Sequence, residues 1–198
     1  MDFIIRSIIH TRVPDAIQKN NPMALIKAVK GIKPVFGDNC FLADNATITG
    51  DVVMGEGCSV WFNAIVRGDV HSIRIGNNVN IQDGAIIHCT YQKWPVTIGN
   101  NVSIAHNAII HGCTIHDNVL IGMGAIIMDG AIIKSNSIVG AGALITEGTI
   151  VESGTVWAGV PGKKIKNIDK ALLEGQVNRI SKNYSMYASW YEAEEPGT

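Results

Sequence analysis

The sequence predicts an all-β chain wound into a parallel β-helix and followed by a C-terminal α-helix. Three observations carry the β-helix. Phe36, Leu42, Ile48, Met54, Val60 and Val66 recur every six residues, and after short breaks the series resumes. It continues as Ile75, Ile81, Ile87, then Ile98, Ile104, Ile110, then Ile115, Ile121, Ile127, Ile133, Val139, Ile145, Val151 and Trp157, twenty positions in all. Neither the helical period nor simple strand alternation produces a six-residue repeat. Four residues beyond a marker sits a second, mostly small residue, as at Cys40, Ala46, Val52, Cys58, Ala64, Ala85, Ala108, Ala125, Ala131 and Ala143, which suits a tight inner corner. Gly, Asn and Asp cluster between the two, as in Gly76-Asn77-Asn78 and Gly99-Asn100-Asn101, supplying the backbone angles that turns require.

The pattern resembles that of hexapeptide-repeat proteins, and the resemblance implies left-handed coils of three hexapeptides each, stacked at about 4.8 Å. Residues 1–34, punctuated by Pro14, Pro22 and Pro34, are read as an N-terminal cap. The coils occupy 35–162 and end at Pro161-Gly162. Residues 163–198 supply the helix and tail. Asp169 is its predicted N-cap, Leu172, Leu173, Val177, Ile180, Tyr184 and Tyr187 its apolar face, and Gly175 its weak point.

Composition bounds the function. Hydrophobic residues make up 46% of the 198, enough for a continuous core, and 16 basic against 17 acidic residues with no basic run argue against nucleic acid. Arg6 and His10 interrupt the apolar start, so neither a signal peptide nor a membrane span is expected. With four cysteines scattered singly, at 40, 58, 89 and 113, a cytoplasmic protein with small buried thiols is the expectation.

Threading the chemistry onto the coils places the candidate site. Met54, Ile75 and Ile98 start face one, Val60, Ile81 and Ile104 face two, and Val66, Ile87 and Ile110 face three. Three extra residues between Val66 and Ile75, and five between Ile87 and Ile98, fall at the same corner, which predicts two stacked loops. Residues following the face-three markers are Arg67, His88 and His111, one outward column. Two beyond the face-two markers stand Phe62, Asp83, His106 and Met123. His88 and His111 can therefore share a metal ion, whereas His106 emerges from another face and reaches them only from a neighbouring chain. Cyclic closure of that contact suggests a homotrimer with one site per interface. Three imidazoles with an open position suit zinc; iron and cobalt are further candidates, and copper also accepts imidazole. His10, His71 and His116 are read as surface residues.

The stretches RGDV at 67–70, NIQDGAIIH at 80–88 and IAHNAIIHGCTI at 104–115 resemble the γ-class carbonic anhydrases, over roughly residues 34–165. The resemblance implies His88, His106 and His111 as metal ligands, Arg67 and Asp69 as an inter-subunit ion pair, and Asn80, Gln82 and Asp83 at the site, with Gln82 near water or substrate. It implies reversible hydration of CO2 to bicarbonate by a zinc-hydroxide mechanism. Val70 after Asp69, and Cys89-Thr90-Tyr91 after His88, stand where fast members carry proton-exporting glutamates, so weak turnover is expected. Tyr184 is expected to pack, with a polar contact to the site as its other role. A non-catalytic metal-binding trimer, and an acyltransferase or thioesterase using His88 or His111 as base, are the alternatives.

Overall fold

The computed structural model describes residues 23–192. It is a parallel β-helix of about seven turns, with one helix behind it. Face two is an 8-stranded sheet whose neighbours are all parallel until Thr155–Ala158 meets Lys163–Asn167 antiparallel. Its register runs Leu42, Val60, Ile81, Ile104, Ile121, Val139, Trp157, each marker directly over the last. Ile48, Val66, Ile87, Ile110, Ile127 and Ile145 stack in the same way on face three, and Met54, Ile75, Ile98, Ile115, Ile133 and Val151 on face one. The six-residue period thus becomes three ladders of aliphatic side chains meeting in one core.

Size decides the corners. Ala46, Ala64, Ala85, Ala108, Ala125 and Ala143 are each fully buried, filling the positions where successive strands turn. On the outside of one corner Asn78, Asn101, Asn118 and Asn136 all adopt positive φ, a conformation that Asn tolerates better than most residues. Their side-chain amides form a ladder at 3.3, 3.1 and 3.3 Å, so the turn residues also tie coil to coil.

Two features of the coils differ from the reading of the sequence. Leu25–Lys27 already pairs with Thr47–Thr49, so the coils begin inside the expected cap, whose residues 1–22 lie outside the described ones. The extra residues after Val66 form no loop: Ile65–Ile75 is one continuous strand running from face three into face one beside Thr47–Met54. It pairs with Thr47–Met54 at both ends, with a register shift between Gly50 and Val52. Only the second insertion makes a loop, closed by a bridge between Thr90 and Trp94.

Beyond the coils, Lys163–Asn167 forms a further strand before the helix starts. Asp169 accepts a hydrogen bond from the Leu172 amide at 2.7 Å, the predicted N-cap. Helical residues run from Lys170 to Glu192, but Leu173–Asn178 adopts the wider π form, and Gly175 lies within it. The helix docks on face two. Trp61 meets the rings of Tyr184 and Tyr191 at centroid distances of 5.2 and 5.7 Å, and Ser181 Oγ donates to the Asn78 carbonyl at 3.3 Å. The outward residues Ser59, Asn80, Gln82 and Ser103 are consequently buried.

Candidate metal centre

Among the described residues face three carries no such cover, and its outward column forms the candidate site. Arg67 pairs in register with His88, and His88 with His111. Each imidazole leans on a carboxylate. His88 Nε2 lies 3.1 Å from Asp69 Oδ1, and His111 Nδ1 lies 2.5 Å from Asp129 Oδ1. Between the rings, His88 Nδ1 and His111 Nε2 face each other at 3.1 Å.

That arrangement fixes the protons. An ionised carboxylate only accepts, so His88 Nε2 and His111 Nδ1 must carry the N–H. In neutral rings the two nitrogens facing each other are then both lone pairs, an unfavourable contact unless a proton or a cation lies between them. Two imidazole nitrogens on one tetrahedral zinc, at about 2.0–2.1 Å each, stand roughly 3.3 Å apart, close to the spacing observed. Carboxylates holding the far N–H of metal-binding histidines are the usual supporting arrangement for such sites. The donor set therefore fits a metal.

Electrostatics agree with the geometry. Burial disfavours a charged His88 ring and, with the nearby Arg67 and His111 charges, outweighs Asp69 to lower its pKa, so the lone pair stays available. Burial acts to raise Asp69, but hydrogen bonds from Arg67 and His88 together with the Arg67 charge hold it below the usual carboxylate value. Asp129 is likewise held down against burial, by hydrogen bonds from Thr90 and His111.

Sequence reasoning did not find Asp129. It stands one coil beyond His111, where the Gly130 amide donates to the Gly112 carbonyl, and Thr90 from the loop donates to its other oxygen at 2.5 Å. Its spacing, two residues after Ile127 on the same face, does not single it out. A Cβ added to Gly112, which has φ +51, would strike the Asp129 carboxylate and the Trp94 Cβ, so that glycine makes room for the contact.

His106 lies elsewhere, as its register predicts. It sits at the edge of face two, one coil above Asp83, with Nδ1 3.0 Å from Asp83 Oδ2 and Nε2 3.4 Å from the Tyr184 hydroxyl. Its side chain is 42% exposed. Tyr184 thus both packs on Trp61 and touches the histidine. Burial, with the Asp83 charge and Tyr187, pushes its phenol up to about 12. Among the described residues of one chain no three metal-ligating side chains converge.

Other predicted site residues take structural positions. Asn80 Nδ2 donates to Ser103 Oγ at 2.8 Å and Gln82 Nε2 donates to Asn80 Oδ1 at 2.9 Å, both beneath the helix. Arg67 Nη1 meets Asp69 Oδ2 at 2.6 Å within the chain, where the resemblance implied a pair across a subunit boundary. Face two, the face expected to bring His106 to a neighbour's face three, carries the chain's own helix, with His106 partly exposed at its edge.

Fold and repeat define a hexapeptide-repeat protein, and residues 33–68 and 112–147 match the family bacterial transferase hexapeptide (six repeats). The crystal structure of a hexapeptide transferase family protein from Anaplasma phagocytophilum superposes with a TM-score of 0.80 at 35% identity, covering 84% of this chain and 98% of that one. Over 169 residues the chain is 41% identical to the carbonic anhydrase of Geobacillus kaustophilus, spanning 85% of this chain and 92% of the relative. It is 36% identical to the mitochondrial gamma carbonic anhydrase 1 of Arabidopsis thaliana, spanning 81% and 60%. The chain belongs to the γ-class carbonic anhydrase family. No helix among the described residues is long and apolar enough to cross a membrane.

Proposed function

We propose that this protein is a metal-dependent carbonic anhydrase that interconverts CO2 and bicarbonate, working as a cytoplasmic homotrimer with zinc held by His88 and His111 of one subunit and His106 of the next. Iron or cobalt would suit the same imidazoles. The observation that carries this reading is the pair of lone-pair nitrogens 3.1 Å apart on an open face. A third imidazole on a different face, with its Nδ1 on a carboxylate in the same style, supports a shared site. So does the partly exposed apolar border of the column, Ile86, Ile126 and Met128, which a docked subunit would cover.

Zinc held there would supply a Lewis acid that brings the pKa of water to about 7. Asp69, Asp129 and Asp83 each accept the far N–H of one imidazole, which fixes its tautomer and aims the other nitrogen at the metal position. Arg67 neutralises Asp69 while leaving it able to accept from His88. Asn80 and Gln82, buried and hydrogen-bonded to Ser103 and to each other, brace the segment that leads to Asp83. Val70, Thr90 and Tyr91 offer no carboxylate to take a proton away, so slow turnover belongs to the reading.

Mixing variants tests it. His106→Ala and His88→Ala trimers should each be metal-free, yet every mixed trimer has one interface with all three imidazoles. Co-refolding should restore up to one metal per mixed trimer together with a share of CO2 hydration. Mixed trimers verified by mass that bind no metal would defeat the shared site. The likeness to a hexapeptide transferase family protein keeps acyl transfer as a second reading; metal-independent consumption of acetyl-coenzyme A that needs His88 or His111 would replace the first.

A further inference from the structure

A second cleft opens where the helix meets the coils. It has a volume of about 240 Å³, and its coil side is Trp61, Phe62 and Asp83. The helix side is Tyr184, Tyr187, Trp190 and Tyr191. Six of its seven lining residues are aromatic, and the seventh is a carboxylate.

Packing the helix accounts for part of this cluster. Trp61 is met nearly edge-on by Tyr184 and Tyr191, at interplanar angles of 82° and 79°, and is itself 5% exposed. Burial does not account for Trp190 and Tyr191, which remain 58% and 52% exposed while lining the cleft. Tyr187 and Trp190 stand 5.0 Å apart at 46° to each other, and Phe62 and Tyr191 5.5 Å apart at 59°. The rings are tilted around the space and do not stack across it.

Aromatic faces present negative potential, and several of them around one cleft attract ammonium ions, including those with no N–H to donate. Asp83 adds a full negative charge. Its Oδ2 is engaged by His106, which leaves Oδ1 for the ligand, and among the described residues no lysine or arginine lines the cleft to oppose a cation. From these observations we infer that the cleft is a binding site for a small organic ammonium ion, of the quaternary or methylated class. It stands independently of the metal reading, though Asp83 and Tyr184 belong to both, so a bound cation would lie beside His106.

Ligand-observed proton NMR on the full chain tests this, with choline as probe and 3,3-dimethylbutan-1-ol as its uncharged counterpart of the same shape. Choline methyl protons should broaden and shift upfield in a saturable manner, with the alcohol binding on the order of tenfold more weakly. Asp83→Asn and Trp190→Leu should each weaken choline severalfold. Equal affinity for the alcohol, no saturable choline binding, or choline binding indifferent to both substitutions would overturn the proposal. Zinc content of the same samples separates the two readings. Zinc retained without choline binding removes the cage alone, and choline bound by a chain that takes no zinc removes the metal reading alone.

Discussion

Faces two and three obey one inward rule and differ only outside. Both stack isoleucines into the core, and both project polar side chains from the positions flanking each marker. On face two the helix covers those positions, and Asn80, Gln82 and Ser103 satisfy one another at 2.8–2.9 Å. On face three nothing of the described chain covers them, so Asp69, His88, His111 and Asp129 line up with lone pairs to spare. The same periodicity makes internally satisfied polar groups under a lid and an open column of imidazoles and carboxylates without one. What distinguishes them is long-range docking of the helix.

If the interior is common, it should fail alike on both faces. Ile104→Ala on face two and Ile110→Ala on face three, each fully buried, should both cost about 2–5 kcal/mol by denaturant unfolding. A loss confined to one of them would mean that the ladders do not share a core.

The exteriors should fail differently. Asn80→Ala strands the Ser103 hydroxyl and the Gln82 amide in a buried setting, and should cost about 1–3 kcal/mol of stability with metal content unchanged. His111→Ala should do the reverse, abolishing metal retention by mass spectrometry while leaving the melting curve of the metal-free protein nearly unmoved. Metal lost from the Asn80 variant without unfolding would place Asn80 itself inside the site.

Within the reactive column, Asp129 separates support from ligation. Asp129→Asn keeps the volume but removes the charged acceptor for His111 Nδ1, and metal affinity should fall by about 10–100-fold. Gly112→Ala should mimic it, because its new methyl displaces the same carboxylate. Unchanged affinity in both would leave Asp129 with no role at the centre.

How much of this was legible follows the same division. Registers, the His88–His111 column, the separate face of His106 and the Asp169 cap all come from spacing, which the parallel stacking turns directly into neighbours. Asp129 is not legible from spacing because the corresponding positions two beyond the preceding face-three markers, Gly68, Cys89 and Gly112, carry no outward polar side chain. The burial of Asn80 and Gln82 depends on where the helix docks, and its apolar spacing does not say which face receives it. Likewise the Arg67 rotamer that reaches Asp69 within the chain leaves no trace in the sequence, since the two residues could equally meet partners across an interface.

Acid should expose the smallest difference between the faces. The shifted carboxylates and histidine, Asp69, Asp129 and His88, all stand on face three, whereas the covered polar groups Asn80, Gln82, Ser59 and Ser103 do not titrate. Each of the three has a folded pKa below its unfolded value, so the unfolded chain binds protons first and stability falls as pH drops. His88 contributes its share in full above its ordinary 6.5 and loses it as pH falls through its depressed folded value. The two aspartates contribute theirs above the ordinary 3.8 and lose it at still lower pH. Melting temperatures of the metal-free protein should therefore decline in two stages on acidification. Asp129→Asn removes one carboxylate from the lower stage and should flatten it. The measurement is a pH series of melting curves for the metal-free wild type, Asp129→Asn and Asn80→Ala. The Asn80 variant should run parallel to wild type, offset downward at every pH. An Asn80→Ala profile that changes shape, or an Asp129→Asn profile that keeps the wild-type shape below the ordinary aspartate value, would move the acid sensitivity off face three.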